Sequence, residues 1–260
     1  MLLHLIADYG FGDLAFAEVR QRLVEHLPQS DVVHLPVPAF DSLGAGFCMG
    51  QLARGSGPAN RVIYSNVAPR GDDDDPRPSN EGERLVAGWL PNGVLVVGVN
   101  STYAFSFVRS TGVELHEVRL PVSGSQFRSR DVFPQLVADL VRGDWGCLGE
   151  RLGPEAVPPV PEARVAYVDG YGNVKTTWTS PPALAGTPVT VRVGDRTLRA
   201  VVSDGTFAVP AGDTSFAPGS SGWDEGDQHV RFYEIFTRGG SAADALGRPS
   251  GGRRVEVTPA

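Results

Sequence analysis

The chain lacks most of the groups that mark metal or redox proteins. Its 2 cysteines, Cys48 and Cys147, stand far apart, with no CxxC pair and no Cys/His spacing suited to zinc. No metal is expected, and so sparse a use of cysteine fits a reducing cytoplasm. Lysine is nearly missing: of 23 basic residues only Lys175 is one, so Schiff-base chemistry has a single candidate, and no Gly-Lys-Ser/Thr exists to form a P-loop. No basic cluster offsets the net charge of −7, which argues against nucleic acid and against a polybasic membrane patch. Long apolar runs are absent too. None reaches the roughly 18–20 residues of a membrane span, and Met1 leads straight into an apolar strand without the charged region of a secretory signal. The 5 histidines, His4, His26, His34, His116 and His229, are scattered and form no Ser-His-Asp or metal spacing.

What is present is a hydrophobic content of 41%, enough for one large or two modest cores. Leu2 to Ala7 reads as an apolar strand that delivers Asp8 into a glycine turn, Gly10-Phe11-Gly12, with Asp13 ahead of a helix. Leu14, Ala17, Val19, Leu23, Val24 and Leu27 keep helical spacing until Pro28. Strands are predicted at 32–35, 62–64 and 94–99, and helices over 41–53 and 131–141. Runs apolar on both faces predict a mostly parallel central sheet with helices on both faces, an α/β domain over 1–152. Pro154, Pro158, Pro159 and Pro161 make 153–163 an extended connector. Beyond it, short β-rich runs at 164–168, 174–178, 188–193, 197–203 and 228–237 predict a smaller all-β barrel or sandwich over 164–260. Asp72-Asp73-Asp74-Asp75, set among prolines, reads as a solvated loop.

Acids at the carboxyl edge of such a sheet sit where open α/β folds bind ligands, and a carboxylate there can accept two hydrogen bonds from a ribose diol. Each polar segment also has a local structural role open to it. Asp13 and Ser129 can cap helices, and Asp169-Gly170-Tyr171-Gly172-Asn173 can be a hairpin turn.

In chain order, Ala7-Asp8-Tyr9-Gly10-Phe11-Gly12-Asp13, Phe127-Arg128-Ser129-Arg130-Asp131, Asp169 to Asn173, Ser215-Phe216-Ala217-Pro218 and Arg238-Gly239-Gly240-Ser241-Ala242-Ala243 resemble one set of motifs. The set belongs to the S-adenosylmethionine (SAM) hydroxide adenosyltransferases and their halogenating relatives, the fluorinase and the chlorinase, of which this chain looks like a divergent member. The resemblance implies no cofactor beyond SAM as substrate, and a homotrimer with each active site between one subunit's N-terminal domain and its neighbour's C-terminal domain. It implies that Asp8 holds the ribose hydroxyls, that Asp13 and Asp169 face the methionine amino group, and that Tyr171 packs on the ligand. Phe216, Asn173 and the backbone near Gly240 would bind adenine, Phe40 would wall the reacting centre, and Phe127 and Arg238 would also contact the substrate.

The same resemblance sharpens the question of the nucleophile. The family's water-activating Asp-Arg-His set falls on Asn66, on Arg70 or Arg77, and on Arg128, so two of three members differ. Ser129 falls where the fluorinase has a serine associated with fluoride. Three readings follow: substitution at the 5′ carbon by water, substitution by a halide or other anion, and an adenosyl-binding protein without turnover.

Overall fold

The computed structural model describes residues 1–70, 75, 82–121, 125–225 and 228–260. Asp72, Asp73, Asp74 and Arg77 lie outside the described residues. The chain is α/β and carries two seven-stranded mixed sheets, divided between the compact units Met1–Pro159 and Val160–Ala260. Among the described residues no helix is long and apolar enough to cross a membrane.

The first unit contains β1 (Leu2–Ala7), α1 (Leu14–His26), β2 (Asp31–Pro36), α2 (Ser42–Arg54), β3 (Val62–Asn66), β4 (Leu85–Trp89), β5 (Leu95–Val99), β6 (His116–Val118), α3 (Arg128–Asp131), α4 (Phe133–Val141) and β7 (Leu148–Arg151). Strand order is β2-β1-β3-β5-β4-β6-β7. The β2-β1-β3-β5 half is parallel, and the pairings of β5 with β4, β4 with β6 and β6 with β7 are antiparallel. The expected mostly parallel sheet is therefore corrected to an evenly mixed one. β6 (His116–Val118) and β7 (Leu148–Arg151) are too short for periodicity over a long window to register them.

Pleating puts Leu3, Leu5 and Ala7 on the face that carries Val62, Tyr64, Leu95 and Val97, and these join Phe16, Val19 and Leu23 of α1 and Leu136, Val137 and Leu140 of α4 in one core. Ile6 and Ile63, which alternate to the other face, are also buried, and α2 packs against β1, β3 and β5. Gly46 permits that approach, because a Cβ there would sit 2.2 Å from the Tyr103 carbonyl oxygen. The proline-rich stretch is partly tied down: Ala156 O accepts from Asn100 at 3.2 Å and Pro158 O from Ser106 Oγ at 2.7 Å.

The second unit contains β8 (Val165–Val168), β9 (Val174–Thr176), β10 (Pro188–Val193), β11 (Arg196–Val202), β12 (Thr214–Glu225), β13 (Gln228–Thr237), α5 (Ala242–Ala245) and β14 (Val255–Pro259), in the order β14-β10-β11-β12-β13-β9-β8. Among the described residues of this unit, only β11 and β12 pair in parallel. The two ends of this order touch through an Arg164–Arg254 bridge, with Val165 N donating to Arg253 O at 2.8 Å. Val165, Val189, Val191, Phe216, Ile235 and Val255 form part of the enclosed core.

Candidate active site

Parallel strands bring their carboxyl ends to one edge. Ala7 pairs with both Pro36 and Asn66, and Ser65 with Gly98, so the residues just after β1, β2, β3 and β5 share that edge. β4 runs antiparallel to β5, with Leu85 opposite Val99, and therefore delivers the residues before its start to the same place. A cleft of about 670 Å³ opens there. Asp8, Phe40, Asn66, Arg70, Phe127, Arg128 and Ser129, all named from the sequence, line it together with Tyr9, Asp75, Gly82 and Glu83.

Asp8 accepts the Phe40 backbone N–H at 2.9 Å. Burial pushes its carboxyl above the ordinary aspartate range, an effect the Phe40 N–H and the Arg70 charge oppose and Glu83 reinforces. Phe40 and Arg70 both hold left-handed backbone, at φ 63° and 62°. Such conformations cost a non-glycine residue free energy and collect at ligand sites. The Phe40 ring stays 57% exposed, so an apolar wall of the cleft is left in solvent.

Ser129 is buried within α3, not ahead of a long helix as the sequence suggests, because the helix breaks at Val132 between α3 and α4. Tyr9 donates to Ser129 Oγ at 2.7 Å, and the buried Tyr64 hydroxyl lies 3.4 Å from the Ser129 carbonyl oxygen. Burial raises both phenols above their ordinary value, so they stay protonated donors. The Arg128 guanidinium sits 5.4 Å from the centre of the Phe133 ring and donates to the Glu83 carbonyl oxygen at 3.3 Å. Glu83 is 3% exposed, and its Oε1 accepts the Arg70 backbone N–H. Phe127 meets Tyr9 edge-on at 5.9 Å.

Other residues singled out from the sequence fall elsewhere. Asp13 caps α1 by accepting Ala15 N at 2.8 Å and does not line the cleft; helix capping takes its carboxylate. In the second unit, Asp169 accepts the N–H groups of Tyr171 and Asn173, each at 3.0 Å, and the Asn173 amide at 3.0 Å, closing the β8–β9 turn. Tyr171 on that turn is 85% exposed. The turn meets the 239–243 segment: Ala243 N donates to Gly172 O at 2.9 Å, while Gly240 N is bonded to Thr237 O. Arg238 turns away to Val209 O at 2.9 Å and stacks over Phe207. Phe216 is fully buried, packed against Trp178 and Tyr233. Lys175, the lone amine candidate, pairs with Glu234 at 2.8 Å in the interior. Among the described residues no group of three or more His, Cys, Asp or Glu is arranged to hold a metal.

Tyr9 and Glu83 are the cleft residues that sequence reasoning missed. Tyr9 sits between two recognised positions, and a carboxylate shortly before an apolar run was the only signal for Glu83.

No protein-family model and no curated protein matches the chain. Its fold is similar to solved structures of an uncharacterized conserved protein from Thermotoga maritima, with 20% identity, 98% of this chain and 100% of that chain covered and a TM-score of 0.75, and of a conserved hypothetical protein from Thermus thermophilus, with 24% identity, coverage of 98% and 99% and a TM-score of 0.66. At these identities the likeness extends to the fold alone.

Proposed function

We propose that the cleft binds the adenosyl part of SAM and directs water to its 5′ carbon, giving adenosine and methionine. The observation that carries this reading is the convergence of Asp8, Phe40, Asn66, Arg70, Phe127, Arg128 and Ser129, drawn from distant parts of the sequence, on one cleft at the carboxyl edge of the sheet. On this reading Asp8, half-buried and already accepting one N–H, takes the ribose diol. Phe40 and Phe127 wall the reacting carbon and exclude water, and aromatic faces favour a sulfonium. A sulfonium leaves without protonation, so positioning the nucleophile in line dominates the chemistry. The finer architecture belongs to the same proposal: a helix-covered α/β domain for adenosyl binding, a closed β-barrel after it, and a homotrimer in which the Asp169–Asn173 turn, with Tyr171 exposed at its tip, closes a neighbouring subunit's cleft.

The test is incubation with SAM, with adenosine and methionine followed by chromatography. Release of both in equal amounts supports the reading; SAM recovered intact, with and without added halide, rejects it. A second reading, an anionic nucleophile, is favoured by one observation. The Tyr9 hydroxyl donates to Ser129 Oγ, which leaves the serine proton to be given elsewhere, beside the fixed charge of Arg128. Halide-dependent formation of a 5′-halo-deoxyadenosine distinguishes it.

A further inference from the structure

Water as nucleophile must lose a proton, and the position that resemblance assigns to the family's activating carboxylate is here Asn66, whose amide cannot take one. The cleft holds other candidates. Arg128 stays charged at working pH, and Tyr9 is a buried phenol that burial keeps protonated. Asp75 is exposed to solvent. Asp8 is assigned to the ribose on the reading above and already accepts the Phe40 N–H.

Glu83 differs from all of these. It lines the cleft yet is 3% exposed, and one oxygen is pinned by the Arg70 N–H. Among the described residues its other oxygen has no hydrogen-bond partner. Its main chain is fixed as well: the Arg128 guanidinium holds the Glu83 carbonyl oxygen at 3.3 Å and lies so close to Gly82 that a Cβ there would be 2.1 Å from Nη2. A carboxylate oriented through one oxygen, with no described residue bonded to the other, and little exposed to solvent is the arrangement that proton abstraction needs. Topology explains its origin. The antiparallel β4 begins where parallel β5 ends, so a residue from an unrelated stretch of sequence reaches the edge that holds Asn66.

We infer that Glu83 is the group that accepts the proton of the attacking water, in place of the carboxylate missing at Asn66. This rests on the SAM-hydrolysing reading above. The water oxygen forms its bond to the 5′ carbon as the carbon–sulfur bond breaks. The electron pair of that bond stays on sulfur, which leaves as the neutral thioether of methionine, and the proton passes to Glu83 and then to solvent.

The experiment compares wild type, Glu83→Gln and Glu83→Asp for SAM affinity by calorimetry and for adenosine formation under saturating SAM. Gln keeps an oxygen for the Arg70 N–H but takes no proton, so it preserves the local fold while removing the chemistry. The expected result is unchanged SAM affinity with turnover reduced roughly 10²–10⁴-fold in Glu83→Gln, and partial recovery in Glu83→Asp. Turnover by Glu83→Gln within about tenfold of wild type, or loss of affinity in step with loss of turnover, overturns the assignment and makes Glu83 a structural clamp. Wild type that fails to convert SAM shows instead that the hydrolysing reading itself is wrong, a result visible before any variant is made.

Discussion

Substituting Asp8 by Asn probes the ribose contact directly. The Asn side-chain oxygen can still accept the Phe40 N–H, now held at 2.9 Å, so the left-handed backbone at Phe40 keeps its support. What is lost is charge. A hydrogen bond to an ionised acceptor contributes about 1.5–3 kcal/mol against about 0.5–1.5 for a neutral one. Two diol hydroxyls would then lose about 1.5–3 kcal/mol together, with the lower half of the range preferred because Asp8 is only partly shielded from solvent. That converts to roughly 10- to 40-fold weaker binding. Calorimetric titration with adenosine and with 2′,3′-dideoxyadenosine measures it: wild type discriminates strongly between the two, and Asp8→Asn discriminates roughly 10- to 40-fold less. Equal weakening for both nucleosides, or none, refutes the diol assignment. The ionisation of Asp8 adds a pH signature. Burial raises its folded pKa, so between the unfolded and folded values the folded state binds more protons, and Asp8 makes the protein less stable as pH rises through that window. Nucleoside binding follows the opposite sign and declines as pH falls through the folded value, above the ordinary aspartate range.

Gly46→Ala gains about 1 kcal/mol of helix propensity but forces a Cβ to within 2.2 Å of the Tyr103 carbonyl oxygen, a backbone atom that cannot rotate aside. Overpacking costs about 1–3 kcal/mol and more against backbone, so net destabilisation of about 1–2 kcal/mol is expected in urea unfolding; a variant as stable as wild type contradicts the packing of α2. Lys175→Met strands the buried Glu234, whose Oε2 already has no hydrogen-bond partner among the described residues, and is expected to cost about 3–5 kcal/mol, whereas Lys175→Met with Glu234→Leu recovers most of it. Equal midpoints for the single and double variants would show that the ion pair is not the source of the loss.

Asp8 was legible because it follows the apolar run of β1 into a glycine turn, whereas Phe40, Asn66, Arg70, Arg128 and Ser129 were named from the family resemblance. Where reading failed, a local rule competed with a tertiary one. Asp13 was read both as a cap and as a ligand contact, and the start of α1 took it. Phe216 lies on β12, a strand concealed by Pro218, Gly219 and Gly222 at a bulge, so its burial under Trp178 and Tyr233 left no periodic signature. Ser129 looked like a residue ahead of a helix because nothing local reveals that the helix breaks at Val132.

By itself the sequence determined the strands β1, β2, β3 and β5, the helices α1 and α2, and which polar residues stand at their ends, since those follow from local periodicity, caps and breakers. Only the tertiary structure decided that the sheet reverses direction after β5. The reversal is the local β4–β5 hairpin, but the pairing of β5 with the distant β3 is what carries Glu83 to the edge that holds Asn66 and into contact with Arg128, and such long-range pairing leaves no trace in any single stretch of residues.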